Sequence, residues 1–548
     1  MKHFGAVLLT CVAYVTTATT QSLLIKLDYG SFQGKYSSTY NVSSWRKIPF
    51  SAPPTGENRF RAPQAPINLT SVYDTNDSFP RCPQLAVNGS EDCLYLGVYS
   101  SPWTEGDALR PVLVEFSSGG FVQGAASTNA PGPSFATLNV SKQNDFVRVG
   151  PNYRTNAFGF LPGAAVHADP LSDLNPGLLD QEAALKWVQK YIHHFGGNPK
   201  DVTIRGHSAG AGSVIAHTIA HCGKTEPPLF TKAIASSPYW PKTYHYNDTE
   251  SELIYDTFVN LTNCTGPNSL QCLKQADLDV LRTAAYQIRL SDKYGKSMFT
   301  WAPVIDGKFL TNTLSEATRT RRVNGDKFFG IYNSLEGEYF IPTALASPTT
   351  KNGYNTSYSS FEKWLKGFIP DLPAADLSKV LELYPENGTS EILPAYNTTY
   401  MRAQMIFRDL VLGCPSYWSA GAAKMGYLAE YSILPANHGD DSQWVCYNKS
   451  VQDVRWIADL KFKYTSINDV QTENPLVYEG FAGAFASFVQ TGDPNAHKLT
   501  NASQPAVPEL HRSGEEWVIQ EDGFRVVKVD QLGPRCEFWR RVATDIPV

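Results

Sequence analysis

The chain has 548 residues and a formal net charge of −5, with 47 Lys and Arg against 52 Asp and Glu. Hydrophobic residues make up 42% and charged ones 18%, the latter below the ~25% usual for globular proteins. Such a chain can bury a large core, and its composition excludes an electrostatic footprint for nucleic acid or anionic membrane, intrinsic disorder, collagen-like repeats and coiled coils.

Met1, Lys2 and His3 precede an apolar run from Phe4 to Val15 and the small-residue stretch Thr16 to Thr20. This pattern predicts that residues 1–20 are a secretory signal peptide cut near Ala18, too short to span a bilayer. Asn-x-Ser/Thr sequons follow at Asn41, Asn68, Asn76, Asn88, Asn139, Asn247, Asn260, Asn263, Asn355, Asn387, Asn397, Asn448 and Asn501. In a secretory lumen or outside the cell these are candidate glycan sites. No later apolar run reaches the ~18 residues of a membrane span, and the C-terminal residues read as neither an ER-retention nor a GPI signal. Of nine cysteines, Cys11 leaves with the signal, and the remaining even number suits an oxidising compartment. Cys82 with Cys93, and Cys264 with Cys272, are close enough to staple local loops. Cys222, Cys414, Cys446 and Cys536 stay open.

Further along, short apolar runs alternate with helical patterns, which predicts an α/β fold with a mostly parallel sheet. Strands are expected at Val112 to Phe116, Phe146 to Val149, Val202 to Ile204, Lys232 to Ala235 and Phe328 to Tyr332. A helix is expected from near Leu179 to Phe195, where Ala184, Leu185, Trp187, Val188, Tyr191 and Ile192 recur at helical spacing before Gly196 and Gly197. No repeat, low-complexity tract or Gly/Ser linker marks a domain boundary.

Directly after the strand at 202–204 stands Gly206-His207-Ser208-Ala209-Gly210, followed by a helical stretch to about His221. A Gly-x-Ser-x-Gly string is a weak signal alone. Between a strand and a helix it predicts a sharp turn that lifts the Ser208 hydroxyl out of the sheet's C-terminal edge, with glycines where neighbours pack too closely for side chains. A hydroxyl is a poor nucleophile until a base takes its proton, and in this type of fold the base comes late in the chain. Only His438, His497 and His511 lie beyond residue 340. His438 follows the apolar run Tyr427 to Leu434 at a strand exit, whereas His497 and His511 read as exposed. The acid must sit at another strand end; Glu336 fits, with Glu338 as its local competitor, and the glycine after Glu336 favours it by letting the backbone turn. Gly119 and Gly120, after the strand ending at Phe116, and Ala209 are the expected backbone donors to an oxyanion. His217 with His221, and His193 with His194, have no third ligand beside them, so neither a metal site nor a cofactor is expected.

With these motifs in place the chain resembles the type-B carboxylesterases, the cholinesterase, carboxylesterase and lipase family of the α/β-hydrolase fold. The resemblance runs from Ile48–Phe60 to Cys536–Trp539, through Glu91–Leu96, Asn152–Arg154, Gly177–Gln181, Phe195–Pro199, Pro303–Gly307 and Thr491–Asn495. It implies a serine carboxylic-ester hydrolase with one catalytic domain over 21–548 after the signal. In that domain insertions at the sheet's C-terminal edge build an active-site gorge. The length alone suggests roughly three or four domains at about 150 residues each, but Ser208, Glu336 and His438 must meet, which forbids a domain boundary between them. These three stand on the family's triad positions, and Gly119, Gly120 and Ala209 on its oxyanion positions. The resemblance also implies disulfides Cys82–Cys93, Cys264–Cys272 and Cys414–Cys536, which leaves Cys222 and Cys446 to pair. Tyr239, Trp240, Phe299, Trp301, Tyr339 and Phe340 match segments that line the family's pockets.

Departures from the family narrow the expected substrate. Only ten residues separate Cys82 from Cys93 and none is aromatic, so neither a choline-binding Trp nor an amphipathic lid helix fits there. His207 replaces a usual Glu, removing a negative charge beside the nucleophile. Ser117 and Ser118 replace a usual His-Gly; a tilted loop that lost one oxyanion donor would cost ~3 kcal/mol in kcat, so low activity on generic esters is expected. The expected partner is a small or medium uncharged ester or lactone. Acyl transfer to an alcohol by the same triad, and a non-catalytic adhesion role, are the rival functions; the intact triad argues against the second.

Overall fold

The computed structural model describes residues 23–38, 40–84, 89–126, 145–289, 299–393, 395–442, 474–497 and 504–548. The expected signal peptide, the sequons at Asn88, Asn139, Asn448 and Asn501, and Cys446 lie outside the described residues, as does the Tyr339 side chain.

Among the described residues the main sheet contains β1 (Lys35–Ser37), β2 (Val42–Pro49), β3 (Tyr95–Ser100), β4 (Arg110–Phe116), β5 (Val147–Pro151), β6 (Gly197–His207), β7 (Lys232–Ser236), β8 (Lys327–Asn333), β9 (Met425–Tyr431), β10 (Glu515–Gln520) and β11 (Gly523–Lys528). Across the sheet they run β11-β10-β9-β8-β7-β6-β4-β5-β3-β2-β1. Pairing is parallel from β10 to β5 and antiparallel at both ends. Leu24–Leu27, Gly30–Gln33 and Val72–Asp74 form a separate small sheet.

The central strands read as continuous apolar runs because both faces are covered. In β8 every residue after Lys327 is buried, and its side chains alternate: Phe328 and Tyr332 join one core, Phe329 and Ile331 the other. On the first face lie α1 (Pro176–Tyr191) and α2 (Ala209–Ile219), through Leu178, Leu185, Val188, Val214 and Ile215. The second face is covered by α3 (Pro475–Thr491), through Val477, Phe481, Phe485 and Phe488.

Element boundaries moved more than element types. The helix α1 starts at Pro176 rather than Leu179, because a proline at the first helical position loses no hydrogen bond, and it passes at Ile192 into a tighter turn ended by Gly196 at φ +80°. The strand expected at 202–204 extends over 197–207, drawn out by pairing with β4 on one side and β7 on the other. The three implied disulfides are present, with Cα separations of 5.0, 5.4 and 5.1 Å. The expected Cys222–Cys446 bridge lies outside the described residues because Cys446 does; Cys222 Sγ stands 3.0 Å from Thr311 Oγ1.

In this order β4 lies between β5 and β6, so the chain leaves β4 toward one side and β6 toward the other, the strand-order reversal at which a crevice forms at the strands' C-terminal edge. Register aligns the exits: Phe116 opposite Gly206, His207 opposite Ser236, Ser236 opposite Ile331, and Asn333 opposite Tyr431. Loops leaving β4, β6, β8 and β9 therefore emerge side by side.

Candidate active site

Ser208 stands between β6 and α2 with φ +55° and ψ −126°, a conformation that costs a non-glycine residue free energy and persists only when the surroundings impose it. They do so here. Its N–H donates to Ser236 O (3.1 Å), and Tyr239 N–H donates to its carbonyl (3.1 Å). A Cβ on Gly206 would sit 2.0 Å from Gly210 C, and one on Gly210 would sit 2.3 Å from Phe116 O. The two glycines are thus required by close backbone approach, as the motif predicts.

His438 lies in the loop after β9, with Nε2 2.8 Å from Ser208 Oγ and Nδ1 2.6 Å from Glu336 Oε2. The Glu336 carboxylate is completely buried, and its other oxygen accepts the N–H of Asn333 at the end of β8. A carboxylate at Nδ1 makes that nitrogen the donor, so Nε2 is left to accept the serine proton. Glu338, the competing acid, is half-buried, and burial raises its pKa. The glycine after Glu336 serves a different purpose from the expected turn: a Cβ on Gly337 would meet Gln404 Cα at 2.5 Å. Among the other late histidines, His511 is exposed as expected, whereas His497 is half-buried, its N–H held by Ser487 Oγ at 2.9 Å.

The glycine turn after β4 packs directly on this elbow. Gly119 and Gly120 have φ of +120° and +64°, and a Cβ would meet Gln123 O at 2.2 Å or the Phe299 ring at 2.4 Å, respectively. Anchors that local sequence does not announce hold the loop. Tyr153 Oη donates to Ser117 O (2.8 Å), and the Gln84 amide exchanges two hydrogen bonds with the Gly124 backbone. Ala209, fully buried, opens α2 immediately after Ser208.

Of the six aromatics named from the sequence, three converge here. Phe340 stacks on Tyr239 with centroids 5.7 Å apart, meets Phe299 edge-on at 6.2 Å and touches the His438 ring edge-on at 5.3 Å. Tyr239 is fully buried behind the other two, its Oη accepting the Phe299 N–H. Trp301 is buried against Phe258, with its indole N–H donating to Ala285 O. Trp240 is fully buried as well. Sequence reasoning missed Phe407, stacked on Phe340 at 4.6 Å; it lies far away in the chain, on the helix Thr399–Arg408.

It also missed the groups behind the imidazole. Asp441 is completely buried, and the Ser237 hydroxyl and the Asn333 amide each stand 3.3 Å from its Oδ1. Burial first, then the neighbouring Glu336, pushes the Asp441 carboxyl up to about 6. Burial pushes Asp440 up to about 7, and burial together with His438 holds His207 well below the ordinary histidine value. The acidic pair in Asn437-His438-Gly439-Asp440-Asp441 is the signal that would have found them.

Known proteins resemble this chain over most of its length. A carboxylesterase of Aspergillus clavatus, Carboxylesterase patB, is 28% identical over 98% of this chain and 99% of its own length. Lipase 2 of Geotrichum candidum is 30% identical over 70% of this chain and 75% of its own. The crystal structure of Aspergillus niger EstA superposes with a TM-score of 0.79 at 25% identity, covering 96% and 99% of the two chains. The model of the carboxylesterase family matches residues 21–539. The chain therefore belongs to the carboxylesterase family, with the α/β-hydrolase fold, and is a carboxylic ester hydrolase.

Proposed function

We propose that Ser208 is the nucleophile, His438 the general base and then acid, and Glu336 the group that orients the imidazole and stabilises its charged form. The observation that carries this reading is the unbroken Ser208–His438–Glu336 chain at 2.8 and 2.6 Å. Ser208 Oγ bonds to the ester carbonyl carbon as its proton passes to His438 Nε2. The N–H groups of Gly119, Gly120 and Ala209 receive the oxyanion. Collapse breaks the bond to the alkoxy oxygen, which leaves with the proton from His438. A water then attacks the acyl-enzyme by the same route in reverse, returning Ser208 and releasing the acid.

The proposed substrate is a small or medium uncharged ester or lactone, with neither cholinesterase nor lid-gated lipase activity. In support, the Cys82–Cys93 loop is too short to hold a lid helix, and His207 stands beside the nucleophile without a negative charge. A single catalytic domain over 21–548 is supported by strands from Lys35 to Lys528 sharing one sheet. Secretion is supported by three disulfides, and glycosylation by the exposure of Asn41, Asn68, Asn247, Asn260, Asn263, Asn387 and Asn397. Among the described residues no helix is long and apolar enough to cross a membrane.

The test is Ser208→Ala assayed on short p-nitrophenyl esters: turnover disappears while the circular dichroism spectrum stays native. Unchanged turnover overturns the assignment. On emulsified long-chain triglyceride the wild type shows no rate jump above the solubility limit, and product analysis with added alcohols separates hydrolysis from acyl transfer.

A further inference from the structure

Two titratable groups beside the site that the proposed mechanism leaves unused face each other: the mostly buried His207 and the completely buried Asp441. The His207 ring lies 5.0 Å from the His438 ring, centroid to centroid, and packs over Gly439, where a Cβ would stand 3.5 Å from His207 Cε1. Its Nε2 is 3.9 Å from Asp441 Oδ1, just beyond hydrogen-bond reach. Both groups carry an unsatisfied buried atom among the described residues, Nε2 on His207 and Oδ2 on Asp441. A buried polar atom left unpaired is costly and calls for an explanation. A shift of about 1 Å brings the two within hydrogen-bond reach.

We propose that His207 and Asp441 form a second imidazole–carboxylate pair that acts on His438: Asp441 adds a second negative charge behind the catalytic imidazole, and His207 screens that charge from water. The inference rests on the reading of His438 as the base. Asp441 and His207 are positioning residues, since neither is required to touch the substrate. The charged and titratable groups around the pair are Glu336 from the turn after β8, His438 and Asp440 from the loop after β9, Glu338 beyond Asp440, and Arg205 of β6, itself paired with Glu115. Ser237 and Asn333 hold Asp441 in place. A carboxylate here favours the imidazolium that forms when Ser208 gives up its proton, as opposite charges do across a few ångströms of low dielectric.

The sign of the effect follows. Removing the Asp441 charge makes the imidazolium less stable, so His438 takes up its proton only at lower pH. The acidic limb of the kcat/KM profile then moves down in pH while the plateau falls. With p-nitrophenyl butyrate between pH 5 and 9, Asp441→Asn is expected to lower kcat about tenfold with KM nearly constant, and to move the limb down by about half a unit to one unit. Asp441→Glu restores the limb. His207→Gln admits water to the carboxylate and moves the limb the same way by less, and the double variant is no worse than Asp441→Asn alone, because the two act as a unit. A purely structural role lowers kcat without moving the limb, and that result in Asp441→Asn overturns the proposal, as do effects that multiply in the double variant. If Asp441→Asn does not fold, an unmoved limb in His207→Gln overturns it instead. Ser208→Ala in the same assay separates the two readings: residual turnover there defeats the nucleophile assignment, whereas an inactive Ser208→Ala with an unmoved limb in Asp441→Asn defeats only this pair.

Discussion

Glu336 and His438 lie 102 residues apart in the chain, yet Oε2 of one is 2.6 Å from Nδ1 of the other. Backbone bonds enforce the meeting: Ser334 N–H donates to Tyr431 O, and Leu335 N–H donates to Ala436 O, both at 3.0 Å, so the turn after β8 is stitched to the loop after β9. A neutral amide at 336 would keep the shape and lose the charge. Glu336→Gln is therefore expected to lower kcat by about 10³–10⁴ while the melting temperature changes little, checked by steady-state kinetics and calorimetry.

Gly210 tests the elbow. Its Cβ position lies 2.3 Å from Phe116 O and 3.0 Å from Ser117 O, so an added methyl group must push the glycine turn away from Ser208. Gly210→Ala is expected to cost about 1–3 kcal/mol in denaturant unfolding and to lower kcat at least tenfold. Native stability with native kcat would show that the turn yields at no cost.

Phe340 tests the pocket. It is sandwiched between Tyr239 and Phe407 and abuts His438, so its ring limits the space next to the imidazole. Truncation in Phe340→Ala is expected to cost about 3–5 kcal/mol of stability. It also shifts preference toward longer acyl chains, with the octanoate-to-acetate ratio of kcat/KM rising about tenfold. An unchanged ratio places the acyl group elsewhere.

Stability should fall with rising pH because of the acids beside the His438 loop. Asp440 is raised to about 7, chiefly by burial, against an ordinary value near 4. A group whose folded-state pKa is raised contributes stability that is fully present below its unfolded value and lost as pH rises through the folded one, so the window runs from about pH 4 to 7. Asp440→Asn keeps an acceptor for the Asn437 N–H and removes the titration. It is expected to raise stability by about 3–4 kcal/mol at pH 8 and to change it little at pH 4, measured by urea unfolding across that range. A wild type equally stable at pH 5 and pH 8 would contradict this.

Much of the site is legible before any coordinate because its signals are local. A strand, a glycine-flanked serine and a helix in immediate succession define the elbow at Ser208, since φ +55° and close backbone approach place demands on consecutive residues. The glycine turn at 119–120 and the spacing of Cys82 with Cys93 are of the same kind. Strand ends were less legible: β6 reaches from 197 to 207 because its partners on both sides supply hydrogen bonds that no local apolar run records.

The α/β class, the setting of Ser208 and the residue types around it were already fixed by short stretches of residues, because each rests on contacts within a few positions. Tertiary structure alone decided which distant groups face one another. It set Glu336 rather than Glu338 against His438 and packed Trp301 on Phe258 while gathering Phe299, Phe340 and Phe407. It also brought Asp441 within 3.9 Å of His207. Those pairings depend on sheet register and on burial summed over the whole chain, and neither is written in any short stretch of residues.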